Sequence, residues 1–301
     1  MVNSSTLYNR RLTRTEAGLW FRFEKTRSSK IPDSIVEDFV SAFVGLPNTL
    51  LYMASVDGNT VGATAAYLDS AHCALGLISV KTEPSYRDAL LPLIVKSSMP
   101  FFRSSSITQV DALVSQTSNQ NPVPFPVASN LPNWTITALE RAGFQAADTL
   151  LLCSIRLAKR TAALTVPYHW DEQPDAAGAA KLLRAEGKRN GLDCSQASLA
   201  LDLAVACHCL KTASRGGRVV AALGFKSYGK EALVTITLSD PENVDITEVG
   251  AAITGLATES GAQRLHFSLL GSQQQNLVES MESLCRSPNK PEVMQLMRKV
   301  L

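Results

Sequence analysis

No apolar run in this sequence reaches the length needed to cross a bilayer, and the first residues carry no secretory apolar core. The expectation is a cytoplasmic protein without a membrane partner. An excess of either charge is also missing. The 29 basic and 27 acidic residues leave a net charge of +2, which argues against a broad nucleic-acid surface. The six cysteines, Cys73, Cys153, Cys194, Cys207, Cys209 and Cys285, contain no C-x-x-C pair. Most lie in apolar runs and read as small buried thiols of a reducing compartment, not as a disulfide framework or a zinc site. The densest cluster, Cys207-His208-Cys209, reads as part of a strand. There the two thiols point to one face and the imidazole to the other, so the three do not converge on one tetrahedral ion. A disorder signature is absent too: 45% hydrophobic and 19% charged residues supply cores for two ordinary domains or one large one.

What is present is a series of punctuated elements. Leu7 to Leu12 reads as a strand, and Thr13-Arg-Thr-Glu16 has capping-box spacing ahead of a helix with Ala17, Trp20 and Phe21. Ser34-Ile-Val-Glu37 repeats that spacing before a stripe of Ile35, Phe39 and Phe43, which Gly45 and Pro47 end. Leu50–Val56 and Thr60–Leu68 are β-rich runs joined by the tight turn Asp57-Gly58-Asn59, and His72–Val80 completes a meander. Ala89–Met99 reads as a helix, Ile107–Val114 as a strand, Asn133–Phe144 as a helix, and Thr149–Leu157 as one more strand. The four prolines of Asn119–Pro132 make an extended segment, either a surface loop or a partner-binding strap.

After Lys159–Ala163 the pattern restarts. Leu164–Trp170 reads as a strand, Asp175–Gly187 and Ser195–Val205 as helices, and Cys207–Ala213 and Arg218–Lys226 as strands around Arg215-Gly216-Gly217. Glu231–Leu238 is a third strand, Asp245–Ser260 a helix, Arg264–Leu270 a strand, Ser272–Cys285 a helix, and Glu292–Val300 a strand or helix. Landmarks of the two halves keep a steady offset: 216 − 58 = 158 for the turn glycines, 238 − 80 = 158 for the third-strand ends, and 263 − 107 = 156 for the next strands. That steadiness argues for an internal duplication with domains at residues 1–160 and 161–301. The alternative is one α+β domain followed by an unrelated α/β domain.

Leu75–Phe144 carries the most informative order: strand, loop, helix, strand, loop, helix. Pro84-Ser85-Tyr86-Arg87 after the strand, and Leu139-Glu-Arg-Ala-Gly-Phe144 closing the last helix, resemble the GNAT family of acyl-CoA-dependent N-acetyltransferases. The resemblance implies an α+β fold class of two GNAT-like domains, each a mixed, largely antiparallel central sheet flanked by helices. It implies acetyl-CoA or another acyl-CoA as cofactor. The pantetheine arm would pair with the splayed strand at Ser79 and Val80, and the pyrophosphate would meet Tyr86, Arg87, Asp88 and Ala89. A helix N-terminus suits an anion because its first N–H groups are unpaired and the dipole is positive there.

The chain departs from the family at the chemical positions. The loop glycines, which let backbone approach phosphate, are replaced by Asp88, Leu90 and Pro92, and the tyrosine that protonates the leaving thiolate is replaced by Leu139. The second loop, Ser239–Asp245, has three acids and no glycine, and reads as an N-cap region. Candidates for the general base are Asp111 and Glu83, with Asp69 also placed by position. Alternation along its strand favours an outward Asp111; a buried, hydrogen-bonded one is the alternative. Two functions follow. One is an acyl-CoA-dependent N-acyltransferase acting on a small-molecule or protein amine. The other is a catalytically silent GNAT-like protein that binds a protein partner or bridges an assembly. A monomer or weak homodimer is expected of a chain that already pairs two such sheets.

Overall fold

The computed structural model describes residues 7–23, 31–89, 92, 106–116, 125–157, 170–282, 285–288 and 291–301. The first half opens with β1 (Leu7–Arg11), α1 (Ala17–Phe23) and α2 (Asp33–Gly45). The meander β2 (Thr49–Val56), β3 (Asn59–Asp69) and β4 (Ala74–Thr82) follows, then β5 (Gln109–Ser115), α3 (Thr135–Arg141) and β6 (Gln145–Leu157). The second half comprises α4 (Ala176–Glu186), α5 (Ser195–Ala206), β7 (Leu210–Arg215), β8 (Arg218–Tyr228) and β9 (Glu231–Ser239). It ends with α6 (Ile246–Glu259), β10 (Arg264–Gly271), α7 (Gln275–Glu282), β11 (Cys285–Pro288) and β12 (Glu292–Val300).

All the described strands join one sheet in the order β1-β2-β3-β4-β5-β12-β6-β10-β9-β8-β7, with β11 beside β6. In each half the meander is antiparallel and the following strand parallel to its last member: β5 to β4, and β10 to β9. The halves then trade their final strands. β6 of the first half lies antiparallel on β10 of the second, while β12 lies antiparallel on β5 of the first. β6 and β12 pair with each other at the centre.

Local chemistry explains the element ends. The β2–β3 and β7–β8 hairpins close through left-handed pairs, Asp57 (φ 50) with Gly58 (φ 81) and Gly216 (φ 57) with Gly217 (φ 75), as two-residue hairpin loops require. The Glu16 carboxylate accepts from the Thr13 N–H at 2.9 Å and the Thr13 hydroxyl at 2.8 Å ahead of α1. Those bonds, the backbone one foremost, hold its pKa down at about 2, with Arg10 assisting. The second capping box does not form: α2 starts at Asp33, with Pro32 as its cap and no side-chain cap bond.

Helix α5 is buried on nearly every side, including Ser195, Gln196, Ala197, Leu199, Ala200, Leu203 and Ala204. It packs on β3, β4 and β5 of the first half and on β7, β8 and β9 of the second, so it needs no polar face. The largest core cluster accordingly crosses the halves, joining Trp20, Phe39 and Phe43 to Leu199, Leu203, Leu233 and Ile236. On the other sheet face, Leu139 and its neighbours pack on Val110 and Val114, and α6 and α7 cover Leu265 and Phe267 through Val249, Ile253 and Met281.

Three expectations need correction. Cys207-His208-Cys209 is not strand but the turn after α5: Cys207 caps the helix, His208 takes φ 52, and β7 begins at Leu210. The proline-rich segment, where described, is no surface loop, because Phe125 packs 5.1 Å from the rings of both Trp20 and Phe43, and Val127 and Ala128 are buried. The helix read through Cys285 stops at Glu282, and Cys285 opens β11. Most of the Ala89–Met99 helix, the first residues of the proline-rich segment, and the Leu164–Trp170 strand apart from Trp170 lie outside the described residues. Among the described residues, no helix is long and apolar enough to cross a membrane, and no three His, Cys, Asp or Glu side chains are grouped to hold a metal.

Candidate functional site

Strands β4 and β5 pair only from Ala74–Leu77 to Gln109–Ala112; beyond Leu77 they part. The phase of the β3–β4 ladder fixes which groups face the opening. Glu83 N–H bonds Val61 O at 3.0 Å, and the register pairs Lys81 with Ala63 and Ser79 with Ala65. In an antiparallel ladder bonded and non-bonded pairs alternate. Ser79 and Lys81 therefore turn their peptide groups to β3, while Val80 and Thr82 turn theirs into the opening. On the opposite wall Leu131 bridges β5, donating to Leu113 O at 2.6 Å and accepting from Ser115 N–H at 3.0 Å.

The mouth is a single 3-10 turn, Pro84–Tyr86, followed by the helical residues Arg87, Asp88 and Ala89, all exposed. The Arg87 guanidinium lies 5.0 Å from the Trp134 ring, a cation–π contact at the start of α3. Tyr86 is half-buried against Ala54, Val56 and Val61. The Lys81 amine stands 5.4 Å from the Trp20 ring, and burial pushes its pKa down to about 7.

The sequence-based candidates separate in space. Val80 presents backbone to the opening, Ser79 is buried, and Glu83 is exposed at the mouth. Asp111 does not face solvent: it is fully buried. Arg298 Nε donates to its Oδ1 at 2.7 Å, and Ser195 donates to Oδ2 through its N–H at 3.1 Å and its hydroxyl at 3.2 Å. Alternation fails to send Asp111 outward because α5 covers the face that the lone strand would give to water. Asp69 lies at the far end of β4, bonded to His72 at 2.7 Å. Leu139 is fully buried, in the core cluster of Val110, Val114 and Phe144.

The second half has the same opening, already filled. β9 and β10 pair only as far as Val234 and Phe267. Asp240 N–H bonds Val220 O at 2.8 Å, so Thr237 and Ser239 face the gap by the phase argument used for β4. Gln274 Nε2 donates to Thr237 O at 2.7 Å, Asn190 Nδ2 donates to Ser239 O at 2.9 Å, and Ser239 N–H donates to Asn190 Oδ1 at 3.2 Å. Both amides are buried and bond each other at 3.0 Å. They supply what a further strand would supply. The backbone is equally tight, since a Cβ on Gly271 would stand 1.8 Å from Asn190 O. The Asp245 carboxylate caps α6 through the Thr247 N–H at 2.7 Å, and the Thr247 hydroxyl and N–H hold its pKa below the usual carboxylate range. In the register position of Asp111 stands His266, bonded to Ser154 at 2.7 Å and to Glu231 at 3.0 Å. Nothing in the spacing of Asn190 or Gln274 marks them in the sequence.

No family model matches the sequence, and no curated protein matches it. Solved structures match almost the whole chain. A GCN5-related N-acetyltransferase from Sphaerobacter thermophilus is 11% identical, over 98% of this chain and 95% of that one, with a TM-score of 0.58. A tandem GNAT protein from the clavulanic acid biosynthesis pathway is 13% identical over 98% of each chain, with a TM-score of 0.60. A GCN5-related N-acetyltransferase from Kribbella flavida is 13% identical over 99% of this chain and 72% of that one, with a TM-score of 0.54. At these identities the likeness is one of fold.

Proposed function

We propose that this chain, which folds as a tandem of two GNAT domains, is an acyl-CoA-dependent N-acyltransferase whose first half alone takes the cofactor. The observation that carries the reading is the contrast between the two openings. Val80 and Thr82 turn backbone donors and acceptors into the first, a fit for the amides of a pantetheine arm. In the second, the matching Thr237 and Ser239 already bond Gln274 and Asn190, so an acyl-CoA does not fit. At the first mouth, exposed Arg87 offers a cation to the diphosphate and offsets Asp88. A bound acyl-CoA would supply the thioester; the chain's part is to align it. Asp111 is committed to Arg298 and α5, and Glu83 stands at the mouth with the diphosphate, so neither carboxylate reaches the reacting amine and its proton passes to water.

Those same commitments favour a second reading, a silent binding protein: Asp111 is tied up and Leu139 carries no proton. Calorimetric titration with acetyl-CoA and CoA separates the cases. Micromolar binding, weakened at least about tenfold by Arg87→Glu, is expected. No heat at millimolar ligand with folded protein overturns the cofactor reading. Binding without acyl transfer to any of a panel of small amines and lysine peptides supports the silent reading instead.

A further inference from the structure

At the other end of β4, the β3–β4 turn meets α4 and α5 around a cavity of about 260 Å³. Its walls come from both halves: Tyr67, Asp69 and His72 from the first, Leu183, Ser198 and Asp202 from the second. β4 spans nine residues, which puts this cavity on the order of 25 Å from the cleft mouth. It is no part of the acyl-CoA opening.

The two carboxylates of the cavity differ in their partners. Asp69 is satisfied: Oδ2 lies 2.7 Å from His72 Nδ1, and Oδ1 accepts from the N–H groups of Ala71 and His72. That bond holds the imidazole above its usual range. Asp202 has a 2.6 Å hydrogen bond from the Tyr67 hydroxyl to Oδ2, but among the described residues no cation approaches it at ion-pair distance. Burial raises its pKa, against the Tyr67 hydrogen bond, and the nearby Asp69 charge adds to the rise. A half-buried carboxylate without a counter-charge is unfavourable until a cation joins it. Beside it Ser198 Oγ, 3.4 Å from His72 Nδ1, offers a further polar contact, and Ala180, Leu183 and Leu201 form an apolar wall.

We infer that this cavity binds a small organic monocation, a primary alkylamine or alkylguanidinium, with its head on Asp202 and its chain along Leu183 and Leu201. The exposed Arg184 at the rim disfavours a second cationic end, so a diamine fits less well. Because the walls belong to both halves, the ligand ties them together. The inference does not rest on acyl transfer, and its test omits acyl-CoA. The full chain is titrated calorimetrically with butylamine and butylguanidine, with butanol as the uncharged control. Saturable binding of both cations and none of butanol is expected. Asp202→Asn weakens binding at least about tenfold, and Arg184→Glu, a change on an exposed side chain, strengthens it. The strengthening cannot arise from misfolding. No saturable heat with either cation, or an affinity that both variants leave unchanged, overturns the inference.

Discussion

Asp111 illustrates how a side chain with catalytic character is taken over by structure. Its strand was legible in the sequence, and so was its chemistry. Its environment was not, because Ser195 and Arg298 lie 84 and 187 residues away and arrive through the second half. The pair is asymmetric: Asp111 is fully buried while the Arg298 side chain keeps 21% of its exposure. Removing Arg298 leaves the buried Asp111 charge without its cation, whereas removing Asp111 leaves an arginine that still faces Asp193 at 3.9 Å and can turn to water. Arg298→Met is therefore expected to cost about 3–5 kcal/mol, the range for breaking a buried ion pair, and Asp111→Asn distinctly less. Replacing both, Asp111→Leu with Arg298→Met, restores much of the loss. Urea unfolding at neutral pH measures all three, and equal losses for the two single changes contradict this account.

Elements with a local signal were readable. The positive-φ glycines of the hairpins, the Asp175 and Asp245 caps and the apolar period of α6 all act within a few residues. Where tertiary contact decides, less is legible. Helix α5 was readable as a helix, but its burial was not, because both its faces are covered; the Cys207–Cys209 stretch, read as strand, turns at His208 instead of extending. The filling of the second opening is likewise non-local: Asn190, Thr237, Ser239 and Gln274 meet from three segments. Asn190→Ala would leave the Ser239 N–H and carbonyl buried without partners on that edge, each orphan costing about 1–3 kcal/mol. Gly271→Ala has φ −71 and no backbone penalty, so its effect is the clash with the Asn190 carbonyl and the Gly191 backbone. Both variants are expected to unfold at clearly lower urea than the parent. A Gly271→Ala protein of parental stability shows that the Asn190–Gly191 segment yields freely, which this packing does not allow.

For the whole molecule, the steady offset between halves made the duplication readable, yet it was silent on the exchange of strands. Pairing partners are a property of topology, and β6 has the same alternation whether it lies on β5 or on β10. The exchange has a thermodynamic consequence. β5 depends on β12 for one edge, β10 depends on β6, and the two traded strands support each other at the centre. The core under α5 also runs across both halves. Neither half can then unfold without exposing strand edges and apolar surface in the other, so the chain behaves as one cooperative unit. Calorimetry of the full chain is expected to give a single transition with equal calorimetric and van't Hoff enthalpies. Residues 1–160 alone keep an open edge on β5 and lack β10 beside β6, and such edges template aggregation. The fragment is expected to aggregate when expressed by itself and to stay in solution when expressed with residues 161–301. Two resolved transitions, or a monomeric 1–160 fragment with a native-like spectrum, show instead that β6 folds back onto β5 and that the exchange does not hold the halves together.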